Sequence, residues 1–116
     1  MNSRCTIKKN SDFRRLYKKG KSAVNAYLAV YCRKNRSEEN RMGYTVSPKL
    51  GHAVVRNRVR RRLREIARLN APRLKRGWDI VVVARGRCVE APYRKLEEAY
   101  LNACERLDLL NREAET

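Results

Sequence analysis

The chain has 116 residues, 42% of them hydrophobic, with 29 Lys+Arg against 12 Asp+Glu and a formal net charge of +17. That length allows one domain with a modest core, and the valine-rich runs argue against a disordered basic tail. A compact body this basic repels itself unless a polyanion neutralises it, so acidic partners of the nucleic-acid kind are indicated and cationic ones excluded.

The charge is unevenly spread. Residues 1–89 hold 25 basic and 5 acidic residues, whereas residues 90–116 hold 4 and 7. No apolar stretch is long enough to span a bilayer, and the opening MNSRCTIKKNSDF lacks the apolar run of a secretory signal. Cys5, Cys32, Cys88 and Cys104 are scattered without a C-x-x-C pair, and there is a single histidine. A zinc site is therefore not expected, and a reduced, cytoplasmic protein is.

In chain order, Ser11 is placed to cap a helix over residues 12–19 that stops at Gly20, with Phe13, Leu16 and Tyr17 on one face. Residues 21–34 read as extended, Tyr27, Ala29 and Tyr31 alternating with Leu28, Val30 and Cys32. Residues 35–40 read as a hairpin loop leading to a second strand over 41–47. Pro48 and Gly51 bracket a tight connection into a helix over 53–70, and 72–77 form a loop. Residues 78–84 are apolar on both faces, the pattern of a central strand covered on both sides. Pro92 opens a last amphipathic helix whose apolar members are Tyr93, Leu96, Tyr100, Leu101, Cys104 and Leu107, with Tyr93 and Tyr100 read as packing residues. Gly43, Gly51 and Gly77 read as turns. With no repeat or linker, one α/β domain over 1–116 accounts for the chain.

The helix over 53–70 is the most informative element. Within GHAVVRNRVRRRLRE at 51–65, Val55, Val59 and Leu63, with Ile66 beyond, fall in one narrow arc at about 100° per residue. Asn57, Arg61, Arg64 and Arg68 fall opposite. Such a helix docks on a core and still presents guanidinium forks suited to phosphate oxygens. Glu65, four residues after Arg61, is expected to pair within the helix.

Catalytic apparatus is missing. Hydrolysis of a phosphodiester by protein groups needs clustered carboxylates for metal or a histidine acid–base pair. Seven of the 12 acids fall in residues 90–116, in and around the last helix, His52 stands alone as a helix-cap histidine, and no Walker or dinucleotide-binding glycine pattern occurs. Phe13, Tyr17, Tyr27 and Tyr31 admit two readings. They are core residues, or they form a half-exposed platform on which single-stranded bases stack between helix and sheet.

The run at 51–65, with its Arg-Asn-Arg core at Arg56, Asn57 and Arg58, resembles the signature of the bacterial ribonuclease P protein family. SDFRRLYKKGK at 11–21, NAYLAVYCR at 25–33, RMGYTVSPKLG at 41–51 and GWDIVVVARG at 77–86 resemble further family segments in the same order. The resemblance spans about residues 8–110. It implies an α/β sandwich related to ribosomal-protein domains, with a small central sheet, an arginine-rich helix and a left-handed βαβ crossover, against the usual hand. It also implies a non-catalytic protein subunit that binds a catalytic RNA and precursor tRNA, assisting endonucleolytic removal of the 5′ leader. Arg56, Asn57, Arg58, Arg60, Arg61, Arg64 and Arg68 are the positions implied for the RNA subunit. Lys49 serves where Pro48 replaces a basic residue common in the family. Phe13, Tyr17 and Tyr31 are implied for the leader. Magnesium would be required by the RNA, with none held strongly by the protein, and neither membrane nor protein partner is needed. A ribosomal or ribosome-assembly RNA-binding protein is the alternative.

Overall fold

The computed structural model describes residues 6–111; Cys5 falls outside them. The chain forms α1 (Asn10–Lys19), β1 (Lys21–Val24), β2 (Leu28–Lys34), β3 (Arg41–Thr45), α2 (Ala53–Asn70), β4 (Trp78–Ala84) and α3 (Tyr93–Arg106). The four strands make one sheet in the order β1-β2-β4-β3. β1 and β2 pair antiparallel, β2 and β4 antiparallel, and β3 and β4 parallel, so α2 is the crossover of a β3–α2–β4 unit.

The central place of β4 follows from its residues. Ile80, Val82 and Ala84 face one layer, with Leu28, Val30 and Cys32 of β2, Val59, Leu63 and Ile66 of α2, and Leu96, Tyr100 and Cys104 of α3. Val81 faces the other layer with Ile7 and Leu16, where Phe13, Tyr31 and Val83 pack as half-buried neighbours. Both faces of β4 are thus apolar because both are covered. One layer is closed by two helices; the other, among the described residues, by the short α1 and the segment around Ile7 before it.

Several expectations are corrected. Ser11 is not the cap of α1. The helix starts earlier, and the Lys9 carbonyl accepts the N–H groups of Asp12 and Phe13 at 3.0 and 3.3 Å. Residues 21–34 are two strands rather than one, because Asn25 turns the chain: its Oδ1 accepts from the N–H groups of Tyr27 and Leu28, each at 3.1 Å. That turn takes Tyr27 out of register with Tyr31 and packs it against the larger core. Residues 35–40 do not close a hairpin, since β4 lies between β2 and β3. They cross the start of β4, held there by Asn35, which donates to Asp79 at 2.9 Å, and Asn40, whose Oδ1 accepts from the Trp78 N–H at 2.9 Å. Gly77, at φ 87°, lies under this loop, and a Cβ there would sit 2.7 Å from the Ser37 carbonyl oxygen. Tyr100 is buried as expected, whereas Tyr93 is exposed.

Candidate nucleic-acid interface

α2 buries Val59, Leu63, Ile66 and Ala67, which fixes its rotation on the sheet. Asn57, Arg58, Arg61, Arg64 and Arg68 are consequently exposed, Arg56 and Arg60 are half-buried, and Val55 is only half-buried at the start of the stripe. Asn57, Arg60, Arg61 and Arg64 line one hollow of about 390 Å³. Arg60 Nη1 donates to Asn57 Oδ1 at 3.2 Å, which orients the guanidinium along the helix surface.

The remaining arginines of α2 differ in how far they are committed. Arg56 Nε donates to the Gly51 carbonyl at 3.2 Å and ties the helix to the turn before it. Arg62 Nη2 donates to the Ala91 carbonyl at 2.7 Å, a structural tie to the segment before α3. Glu65 pairs with Arg68 at 2.9 Å, one turn further on, and not with Arg61 as the spacing suggested. Arg61 therefore stays available to a ligand. Lys49 is exposed but does not join this hollow; it lines another, of about 530 Å³, with Tyr27, Leu50 and Arg87. Pro48 opens the short 3-10 turn that carries it.

The predicted aromatic residues do converge. Tyr17 and Tyr31 meet edge to face with ring centres 4.9 Å apart, and Phe13 and Tyr17 are tilted at 6.5 Å. Tyr17 Oη lies 2.9 Å from Thr45 Oγ1, which fixes its ring over β3. Phe13 lies against the middle of β3 because Gly43 leaves room: a Cβ there would come within 2.9 Å of the ring. Gly43 is thus a strand position that admits a side chain from above, not a turn. The aromatic set divides between core and surface. Phe13 and Tyr31 are half-buried against the smaller core, while Tyr17 is 40% exposed.

Phe13 and Tyr17 form the wall of a groove of about 650 Å³ whose other side is Tyr44, Thr45 and Val46 of the β3 end, closed by Arg60. Arg60 therefore borders both the groove and the arginine hollow. Tyr44 was not foreseen. Its alternation with Met42 in β3 was the available signal, but its neighbour on α2 lies far away in sequence. The Arg64 guanidinium carbon stands 5.9 Å from the Tyr44 ring centre, a cation–π contact. Burial pushes the Tyr44 phenol up to about 12, with Arg64 pulling the other way, so it remains a neutral hydroxyl at physiological pH.

Acidic groups near this surface are few. Asp79 is pushed up by burial, but the hydrogen bonds from Arg41 and Asn35 and the charges of Arg41 and Arg33 outweigh that and hold it below its ordinary value. Among the described residues, no group of three or more His, Cys, Asp or Glu side chains could hold a metal ion. Nor is any helix among them long and apolar enough to cross a membrane.

Fold and surface together define a class: a small, strongly basic, single-sheet α/β protein with an arginine helix set beside an aromatic groove. The Ribonuclease P family model matches residues 1–108. The ribonuclease P protein component of Alkaliphilus oremlandii (strain OhILAs) is 46% identical over 105 residues, covering 90% of this chain and 92% of that protein. That of Clostridioides difficile (strain 630) is 44% identical over 104 residues, 89% and 91% of the two chains. Among solved structures, the Staphylococcus aureus RNase P protein superposes with a TM-score of 0.85 at 33% identity, covering 92% of this chain and 98% of that one. The Thermotoga maritima RNase P protein gives 0.78 at 35%, covering 84% and 92%. The chain belongs to the ribonuclease P protein family, whose members are subunits of the tRNA-processing ribonuclease P. The ribosomal alternative is set aside.

Proposed function

We propose that the exposed arginine face of α2 docks on the catalytic RNA subunit while the groove beside α1 grips the single-stranded 5′ leader of precursor tRNA. One observation supports this above the others: Arg60 borders both surfaces, so an RNA seated on α2 and a strand lying on Phe13 and Tyr17, with Tyr31 packed against Tyr17, would be neighbours. Asn57, Arg58, Arg61 and Arg64 would engage phosphates, with Arg56 and Arg68 partly held by Gly51 and Glu65. Lys49 would contribute only from a separate hollow.

The physical role follows from charge. Precursor and catalytic RNA are both polyanions, and a +17 subunit lowers the repulsion between them, an effect that fades as salt screens it. Holding the leader also discriminates precursor from product, since mature tRNA has lost the gripped segment. Magnesium held by the RNA would supply the activation of water. On the protein side, Asp12 of α1 and Asp79 of β4 are both committed to Arg41.

The test is reconstitution. Added to a bacterial catalytic RNA with precursor tRNA at low divalent-ion concentration, the protein should restore cleavage, and without RNA it should cut nothing. Cleavage by protein repurified after nuclease treatment would overturn the non-catalytic role.

A further inference from the structure

A second hollow, of about 380 Å³, lies among α1, the end of β2, the crossing loop and the starts of β3 and β4. Asn10, Phe13, Arg14 and Tyr17 line the aromatic groove, whereas Asp12, Arg15 and Leu16 line this hollow. At about 100° per residue those two sets are opposite flanks of α1. The hollow is therefore not an extension of the groove floor.

Its walls carry Arg15, Arg33, Lys34, Arg36 and Arg41 against two carboxylates, Asp12 and Asp79, a surplus of three positive charges. Both carboxylates are already engaged. Arg41 Nε donates to Asp79 Oδ1 at 2.8 Å and its Nη2 to Oδ2, while its Nη1 lies 3.7 Å from Asp12 Oδ2. Asn35 donates to Asp79 as well. Arg41 is thus the main partner of both carboxylates, with the Arg33 charge also acting on Asp79, and the surplus of three charges falls to Arg15, Lys34 and Arg36. Lys34 rests over the Trp78 ring at 5.8 Å. Arg15 and Arg36 are exposed and make no hydrogen bond or ion pair among the described residues. No aromatic side chain lines the hollow, so it offers no ring on which a base could stack. Guanidinium forks on a surface without rings suit backbone phosphates.

We propose that this hollow binds the backbone phosphates of distal leader nucleotides, those beyond the segment held in the groove. The inference rests on the groove being the leader site. Arg14 lines the groove and Arg15, the next residue, lines the hollow, so a strand leaving the groove crosses α1 on an unbroken cationic track. The width to be crossed is that of one helix, about 10 Å. Recognition here would depend on leader length and not on leader sequence.

The test uses holoenzyme reconstituted with the Arg15→Gln, Arg36→Gln double variant. Affinity is measured for precursor tRNA with a short leader that only fills the groove, for one with a long leader, and for mature tRNA; protein affinity for the catalytic RNA is measured beside them. Both side chains are exposed and unpaired, so the melting temperature should not move. Long-leader affinity should fall roughly tenfold, with the log–log salt slope flattening by up to about 1.4 if two single-strand phosphates are released. Short-leader and catalytic-RNA affinities should hold. Equal weakening for both leaders, weakening confined to the catalytic RNA, or no change at all would overturn the site. If wild-type holoenzyme does not prefer the short-leader precursor over mature tRNA, the groove reading itself fails, and this inference with it.

Discussion

α2 and α3 lie on the same face of the same sheet and bury similar apolar stripes, yet they present opposite characters to solvent. α2 buries Val59, Leu63 and Ile66 and carries seven arginines and one glutamate. α3 buries Leu96, Tyr100 and Cys104 and carries three basic and three acidic residues. The fold needs the stripes and the ties of Arg56 and Arg62, so the remaining, exposed arginines of α2 answer to something outside the fold. The two faces of the sheet differ in a parallel way: the face under α2 and α3 is sealed by a continuous, mainly aliphatic core, and the face under α1 ends in a half-open row of rings.

The largest effect should come from breaking what the two helices share. Val59→Asp places an unpaired charge among fully buried neighbours, at a cost of several kcal/mol, and should abolish the cooperative thermal transition. A normal melt would mean that the stripe of α2 does not hold the fold.

Next come the half-buried rings of the open face. Phe13→Ala and Tyr31→Ala each remove part of the smaller core and should cost about 2 kcal/mol of stability, visible as a lowered Tm, besides any weakening of leader binding. No change in Tm would make them purely surface residues.

Asp79 sharpens the contrast by showing a charge the fold does need. Folding holds its carboxyl below the ordinary 3.8, so its contribution is complete above that value and disappears as pH falls through the lower folded value. Asp79→Asn should cost about 2 kcal/mol at neutral pH by leaving Arg41 without its main acceptor, and should lessen the acid-side loss of stability. Equal destabilisation at every pH would contradict the ion-pair account.

The smallest stability effect, close to zero, is expected where the charge serves only a partner. Arg61→Ala and Arg64→Ala leave the buried stripe untouched, and Tm should move little, although Arg64 no longer covers the Tyr44 ring. Binding to the catalytic RNA should weaken, with the salt slope flattening by about 0.7–0.9 for each phosphate no longer neutralised. An unchanged slope in the double variant would place the RNA interface elsewhere.

Periodicity was enough to read α2, β4 and α3, because each helix buries a continuous stripe on one layer and β4 is a continuous apolar run covered on both faces. It was not enough where a few polar atoms redirect the chain. The Asn35 and Asn40 bonds that carry residues 35–40 across β4 depend on Asp79 and Trp78, 44 and 38 positions away. The Asn25 turn that separates β1 from β2 is closed by its neighbours Tyr27 and Leu28 and tied by the Asn25 Nδ2 to the Ala99 carbonyl, 74 positions away. Strand order was hidden for the same reason, and with it the meeting of Tyr44 with Arg64. Phe13, Tyr17 and Tyr31 were legible as a set through helical and strand spacing. Their division into supporting and exposed rings was not, since it depends on the hole at Gly43 and the bond between Tyr17 and Thr45.

That division supplies the most direct test. Tyr17 is the ring most open to solvent, so Tyr17→Ala separates the leader grip from the core better than its neighbours do. Affinities of wild-type and Tyr17→Ala holoenzyme should be measured for precursor and mature tRNA under one salt condition. The account predicts a weakening of about 1–3 kcal/mol for the precursor alone, with mature tRNA unaffected. A parallel weakening for both tRNAs, or an unchanged preference for the precursor, would contradict it.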